Sequence, residues 1–190
     1  MDFTNLAYLQ TGNARQQADY QLLDELQLFT WLADYQPILT GTFPLTIDID
    51  SSDLDICCEV YELEQFAHRV EKYYGHLEEF KCRPSTHQSV STAIISFKYQ
   101  GWPIEVFGQA LPTQRQYAYR HMLIEYRVLS LANAHFKENI IQLKQDGAKT
   151  EPAFSQLLGL PGDPYETLLN LEQYSQEQLC QLLNVREYLK

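Results

Sequence analysis

The chain has 190 residues, 25 acidic against 14 basic side chains and a formal net charge of −11, with 45% hydrophobic and 21% charged residues. That length and composition suit a folded globule with a real core and exclude disorder over most of the chain. The acidic balance repels phosphate backbones, so long nucleic acid is an unlikely partner unless basic residues gather on one face.

No unbroken apolar run exceeds four residues, which argues against a membrane-spanning helix or the core of a signal peptide and predicts a cytoplasmic protein. Cys57 and Cys58 are adjacent, Cys82 and Cys180 are isolated, and no Cys-x-x-Cys pair occurs. Neither a disulfide framework nor a zinc site is written there, and reduced, buried cysteines are expected.

In chain order, Leu22, Leu26, Phe29 and Ala33 recur at helical spacing, which predicts a helix over Tyr20–Tyr35 stopped by Pro37. Ile38–Thr40 reads as a short strand. Asp53–Val60 reads as a second, with Leu54, Ile56, Cys58 and Val60 on one face and Asp53, Asp55, Cys57 and Glu59 on the other. Residues 61–75 read as a helix ending at Gly75. Thr92–Tyr99 and Trp102–Phe107 read as strands of a hairpin turning at Gln100-Gly101. After Pro112 the texture becomes helical, with segments at about 113–132, 135–146, 152–158, 164–172 and 175–189. The expected architecture is an α/β (α+β) core over residues 1–112, a small mixed sheet with flanking helices, followed by a helical region over 113–190 packed on it.

The chemical-looking stretch runs from Gly41-Thr42-Phe43-Pro44 to Ser52-Asp53-Leu54-Asp55-Ile56. An Asp-x-Asp pair alone carries little information: about three acid-x-acid pairs are expected by chance at this composition, and the chain has three, Asp48/Asp50, Asp53/Asp55 and Glu62/Glu64. Context favours Asp53/Asp55. Strand alternation sets both carboxylates on one face, where they repel by roughly 4 kcal/mol at about 4 Å and an effective dielectric near 20. Such a pair shares a proton or binds a cation. Glu105 lies between Ile104 and Val106 in a later strand, where a charge needs a task or a partner, or faces water at an edge.

Two further segments carry charge suited to an anion. Arg120 and His121 lie on the predicted helix after Pro112, together with Tyr117, Glu125 and Arg127. They could neutralise a phosphate or move a proton, or else pair locally, Glu125 with His121. Lys149-Thr150-Glu151-Pro152 reads as a helix start with Thr150 as N-cap, and Lys149 ahead of it could meet a phosphate. Ser85, Thr86, His87 and Ser89 offer hydroxyls without a Gly-x-Ser-x-Gly elbow, so serine-hydrolase chemistry is unsupported.

A Gly-Thr turn after a first strand, an Asp-x-Asp twelve residues on and a lone acid in a later strand resemble the polymerase-beta-like nucleotidyltransferase superfamily. Gly41-Thr42-Phe43-Pro44, Ser52 to Ile56, Ile104 to Gln109, Tyr119-Arg120-His121-Met122 and Lys149 to Phe154 also resemble an uncharacterised bacterial family within it, known as a domain of unknown function, over about residues 20–170. The resemblance implies a metal-dependent transfer of a nucleotidyl group from a nucleoside triphosphate to a hydroxyl acceptor. Asp53, Asp55 and Glu105 would hold Mg2+ or Mn2+, with Glu105 as possible base. Gly41 and Thr42 would hold the phosphates, with Arg120, His121 and Lys149 as auxiliary groups. No Lys or Arg occurs between Arg15 and Arg69, whereas the superfamily usually places a basic residue close after the turn. The alternative is therefore a weak or inactive nucleotide- and metal-binding regulatory module of the same fold. The acceptor, the base preference and the oligomeric state are not written in the sequence.

Overall fold

The structure, a computed structural model, describes residues 1–87 and 90–190. Ser89 lies outside the described residues. Clustering of neighbours divides the chain into two compact units, Met1–Pro44 with Ser52–Tyr119, and Leu45–Ser51 with Arg120–Lys190.

The first unit opens with the short helix α1 (Ala7–Gln10) and α2 (Ala14–Glu25). Asn13 caps α2 by accepting from the Gln16 amide while the Gln16 side chain accepts from the Asn13 amide, a reciprocal capping box. The helix expected over Tyr20–Tyr35 starts earlier and breaks in the middle. Gln27 adopts the left-handed conformation (φ 51°), ends the ladder, and starts the one-turn helix α3 (Leu28–Trp31) and a 3-10 turn at Ala33–Tyr35. The break shifts the apolar face by one residue: Leu28 and Leu32 join Leu22 and Leu26 in the core, while of the expected positions Phe29 is only partly buried and Ala33 is exposed.

Then follow β1 (Ile38–Thr40), β2 (Leu54–Glu59), α4 (Leu63–Tyr74), β3 (Glu78–His87), β4 (Val90–Tyr99) and β5 (Trp102–Gln109). They form one mixed sheet in the order β1-β2-β5-β4-β3, in which β2 and β5 are parallel and the other pairs antiparallel. Gln100 and Gly101 both have positive φ (49° and 82°), the backbone that a tight two-residue hairpin requires. The strand with no sequence signature is β3. As an edge strand it exposes most side chains and has no apolar alternation, while Lys81, Arg83 and Pro84 suit an edge that must not recruit another strand.

Alternation divides the sheet as the sequence predicts. Leu54, Ile56, Cys58, Ala93, Ile95, Phe97, Ile104 and Val106 are buried in a core shared with Leu22, Leu23, Leu28 and Leu32 of α2 and α3 and Phe66 and Val70 of α4. Gly108 lets α4 close in: a Cβ there would lie 2.8 Å from Phe66 Cε1. The polar residues of β2 and β5, Asp55 and Glu105 among them, project from the opposite face.

The second unit is helical: most of α5 (Tyr117–Leu131), then α6 (Ala134–Gln145), α7 (Thr150–Leu158), α8 (Pro164–Leu169) and α9 (Gln176–Val185). Gln116 is extended, which separates α5 from the 3-10 turn Thr113–Arg115. Phe136 meets Phe154 and Tyr188 edge-on at 5.6 and 5.0 Å and anchors this core. The segment Leu45–Ser51 is held by α6, where Lys144 Nζ donates to the Ile47 carbonyl (2.7 Å) and Lys137 Nζ to Thr46 Oγ1. No helix among the described residues is long and apolar enough to cross a membrane.

Candidate active site

The register of the sheet sets four polar residues in one row. Thr40 pairs with Asp55, Asp55 with Glu105, and Glu105 with Ser96, across β1, β2, β5 and β4. In-register neighbours share a face, with strands about 4.8 Å apart. Asp53 precedes β2 by one residue.

The two strand carboxylates have different neighbours. Asp55 Oδ2 lies against the backbone of Gly41, so close that a Cβ at that position would sit 2.7 Å away. Gly41 is therefore required twice, by this approach and by its positive φ of 77°. Glu105, on the other side, reaches Arg83 of β3, with Oε1 3.5 Å from Nη2.

Around the row the chemistry is quiet. Thr40 is fully buried, and its Oγ1 donates to the Asp55 carbonyl (3.3 Å) and lies 3.5 Å from Cys57 Sγ. Burial pushes the Cys57 thiol up to about 12, with the Asp55 charge adding to the shift and Thr40 opposing it, and burial raises Cys58 well above its ordinary value. Neither thiol is a nucleophile at neutral pH.

The turn after β1 is held from a distance the sequence does not reveal. Gln16 Nε2 donates to the carbonyls of Phe43 (3.0 Å) and Pro44 (3.3 Å). The guanidinium of Arg15 lies 5.4 Å from the Phe43 ring centroid and 5.1 Å from that of Trp102. A cation thus does stand next to the Gly41-Thr42 turn, supplied by the first turn of α2. Thr42 is partly exposed within that turn.

Arg120, His121 and Lys149 lie in the second unit, and the first two have local partners. Arg120 makes a bidentate pair with Glu172 (Nε to Oε1 2.9 Å, Nη2 to Oε2 2.6 Å). His121 is buried, with Nε2 2.9 Å from the Tyr165 carbonyl; because a carbonyl only accepts, that nitrogen carries a proton. Its Nδ1 lies 3.7 Å from Glu151 Oε1, a carboxylate from α7. Glu125 is buried too, and desolvation, with the Glu151 charge adding to it against Lys144, raises its pKa well above the carboxylate range. Lys149, rather than Thr150, is the N-cap residue of α7 and is exposed.

The donor set on β2 and β5 is oxygen only, which suits magnesium or manganese. Among the described residues no three His, Cys, Asp or Glu side chains are gathered as a ready cage. Magnesium does not need one, since it is commonly held by one or two carboxylates plus substrate phosphates. The residues present fit such an ion. A cleft of about 890 Å³ in the same unit lies elsewhere, between α1, α2, α3 and the Pro112–Arg115 turn, at the Ile38 end of β1 and away from Gly41.

The family model of a domain of unknown function, DUF4269, matches residues 21–171. No curated protein matches the sequence. Among solved structures, the fold is similar to the Cid1 poly(U) polymerase with magnesium and 3′-dATP bound (TM-score 0.53, 13% identity, 82% of this chain and 48% of that one). It is also similar to the polymerase core of TRAMP, an RNA surveillance complex (TM-score 0.54, 13%, 95% and 61%), and to a cytoplasmic RNA terminal U-transferase (0.51, 14%, 83% and 47%). The chain spans 47–61% of the length of these structures. At such identities the likeness establishes the nucleotidyltransferase fold.

Proposed function

The chain belongs to the DUF4269 family, a domain of unknown function, and we propose that it is a metal-dependent nucleotidyltransferase acting on a nucleoside triphosphate and a hydroxyl acceptor. The observation that carries this reading is the register pairing of Asp55 with Glu105 on one face of the parallel β2–β5 pair, next to a turn opened by Gly41.

Asp53, Asp55 and Glu105 would hold Mg2+ or Mn2+, which when bound neutralises the attacking and leaving oxygens of an in-line displacement. The acceptor oxygen forms a bond to the α-phosphorus, the bond from that phosphorus to the bridging oxygen breaks, and pyrophosphate leaves. Glu105 would take the acceptor's proton. The backbone of Gly41 and the hydroxyl of Thr42 would receive phosphate oxygens. With a net charge of −11, a small molecule or a protein side chain in the cytoplasm is a better acceptor than long nucleic acid.

A second reading keeps the site without turnover, as a nucleotide- and metal-binding regulatory module. It is favoured by Glu105 being engaged with Arg83 and by the guanidinium of Arg15 lying over the adjoining rings of Phe43 and Trp102. One experiment separates the two. Each of the four nucleoside triphosphates, labelled at the α-phosphate, is incubated with magnesium or manganese and cell extract, with the unmutated protein and with Asp55→Asn. Label transfer that needs Asp55 supports the enzyme. Asp55-dependent binding of metal and nucleotide with no transfer under any condition supports the module.

A further inference from the structure

We propose that Arg83 is an exchangeable counter-ion: it neutralises Glu105 in the metal-free protein and turns to the polyphosphate of the nucleotide when a divalent ion takes Glu105 over. The inference rests on the nucleotidyltransferase reading of the carboxylate row and adds a residue that the reading does not contain.

Glu105 and Arg83 stand two strands apart in the sheet, on β5 and β3 with β4 between them. Ser96 of β4 pairs with Glu105 on one side and with Lys81 on the other, so Lys81 shares the face of the carboxylate row, and Arg83, two residues on, shares it by alternation. The Arg83 side chain crosses β4 to bring Nη2 within 3.5 Å of Glu105 Oε1. It remains 64% exposed, against 23% for Glu105. A pair with that separation and exposure is weak and is easily replaced.

Charge determines what replaces it. Asp55 Oδ2 lies against the backbone of Gly41, and Glu105 Oε1 has the Arg83 guanidinium as its neighbour. A divalent ion attracts a carboxylate more strongly than an exposed guanidinium does, so an ion at Asp55 takes Glu105 from Arg83. Arg83 then keeps its charge and its place on the same face but loses its carboxylate. A phosphate chain is the anion that a planar, five-donor guanidinium fits next. Other cations near the row are less suited: Lys98 is engaged with Glu79 at 2.7 Å and Arg15 lies over the rings of Phe43 and Trp102. Lys81, on the same strand and face as Arg83, adds a second charge for the same chain of phosphates.

The exchange predicts effects of opposite sign from one substitution. Manganese binding without nucleotide, and binding of a non-hydrolysable nucleoside triphosphate analogue or inorganic tripolyphosphate with magnesium present, are measured for the unmutated protein, Arg83→Gln, Arg83→Lys and Asp55→Asn. Melting curves check that each variant folds. Loss of the competing guanidinium in Arg83→Gln should tighten manganese binding about threefold. Loss of a charge-assisted contact should weaken the analogue and tripolyphosphate about tenfold or more. Arg83→Lys should fall between the two.

Arg83→Gln affinities that stay unchanged, or that both fall, overturn the exchange, while Asp55-dependent binding by the unmutated protein leaves the carboxylate reading standing. If the unmutated protein binds neither manganese nor the analogue, the carboxylate reading fails and the exchange fails with it.

Discussion

The Asp55 carboxylate lies so close to the backbone of Gly41 that a single Cβ added there would stand 2.7 Å from Oδ2. The glycine of the turn and the second aspartate of the Asp-x-Asp are therefore one steric unit, although fourteen positions separate them in the chain. Gly41→Ala meets both this contact and a left-handed backbone, which costs an ordinary residue about 1–2 kcal/mol. For a chain of this size the melting temperature should fall by roughly 3–8 °C. Thermal melts check this, and an unchanged melting point would show that the turn relaxes without strain.

If the carboxylate row holds a divalent ion as proposed, the ion relieves the repulsion between its in-register acids. At a metal concentration about 100-fold above the dissociation constant, binding should stabilise the fold by roughly 2.7 kcal/mol, on the order of 5–10 °C. Asp55→Asn keeps the shape and removes one charge, so most of that shift should vanish while the metal-free melting point stays equal or rises slightly. A clearly less stable metal-free variant would mean that Asp55 is a structural hydrogen-bonding group and not a metal ligand.

Glu125 gives the second unit a pH dependence. It is buried among Glu151, Lys144 and His121, and desolvation raises its pKa well above the unfolded value. The folded chain therefore keeps a proton that the unfolded chain has lost. The contribution of this group is fully present below the ordinary carboxylate pKa and is lost as pH rises through the folded one. Glu125→Gln removes the titration, so its melting temperature should match the unmutated protein near pH 4 and exceed it increasingly toward pH 8. Melts across that range check the sign. A variant less stable at pH 8 would mean that an ionised Glu125 is held by Lys144.

Gly108 tests how α4 docks on the sheet. A Cβ there would meet Phe66 Cε1 at 2.8 Å and Val60 Cγ2 at 2.9 Å. Gly108→Ala should destabilise by about 1–3 kcal/mol through overpacking, and Phe66→Leu in the same chain should recover part of the loss. Additive losses in the double variant would show that the two positions do not touch.

Much of the fold is legible locally, because the repeating patterns are local. Apolar alternation marks β2, β4 and β5, Gln100-Gly101 marks their hairpin, and helical spacing with Gly and Pro breaks marks α6, α7 and α8. The same alternation predicts that Asp55 and Glu105 point away from the core, since Leu54, Ile56, Ile104 and Val106 must point into it. What spacing could not contain is register between distant segments. Strand β3 escapes detection because an edge strand need not bury an alternate residue, and with it goes Arg83, whose side chain reaches Glu105 across β4 from two residues beyond the Lys81–Ser96–Glu105 row. Arg15 reaches the Gly41 turn because α2 packs on the sheet, and nothing in its neighbourhood of sequence says so. The sequence by itself determines which residues form strands and which faces are polar, through the burial that each local period demands. Which cation meets which carboxylate is decided only when the core fixes the order and register of the strands, because burying Ile95, Ile56 and Val106 leaves the sheet a single alignment.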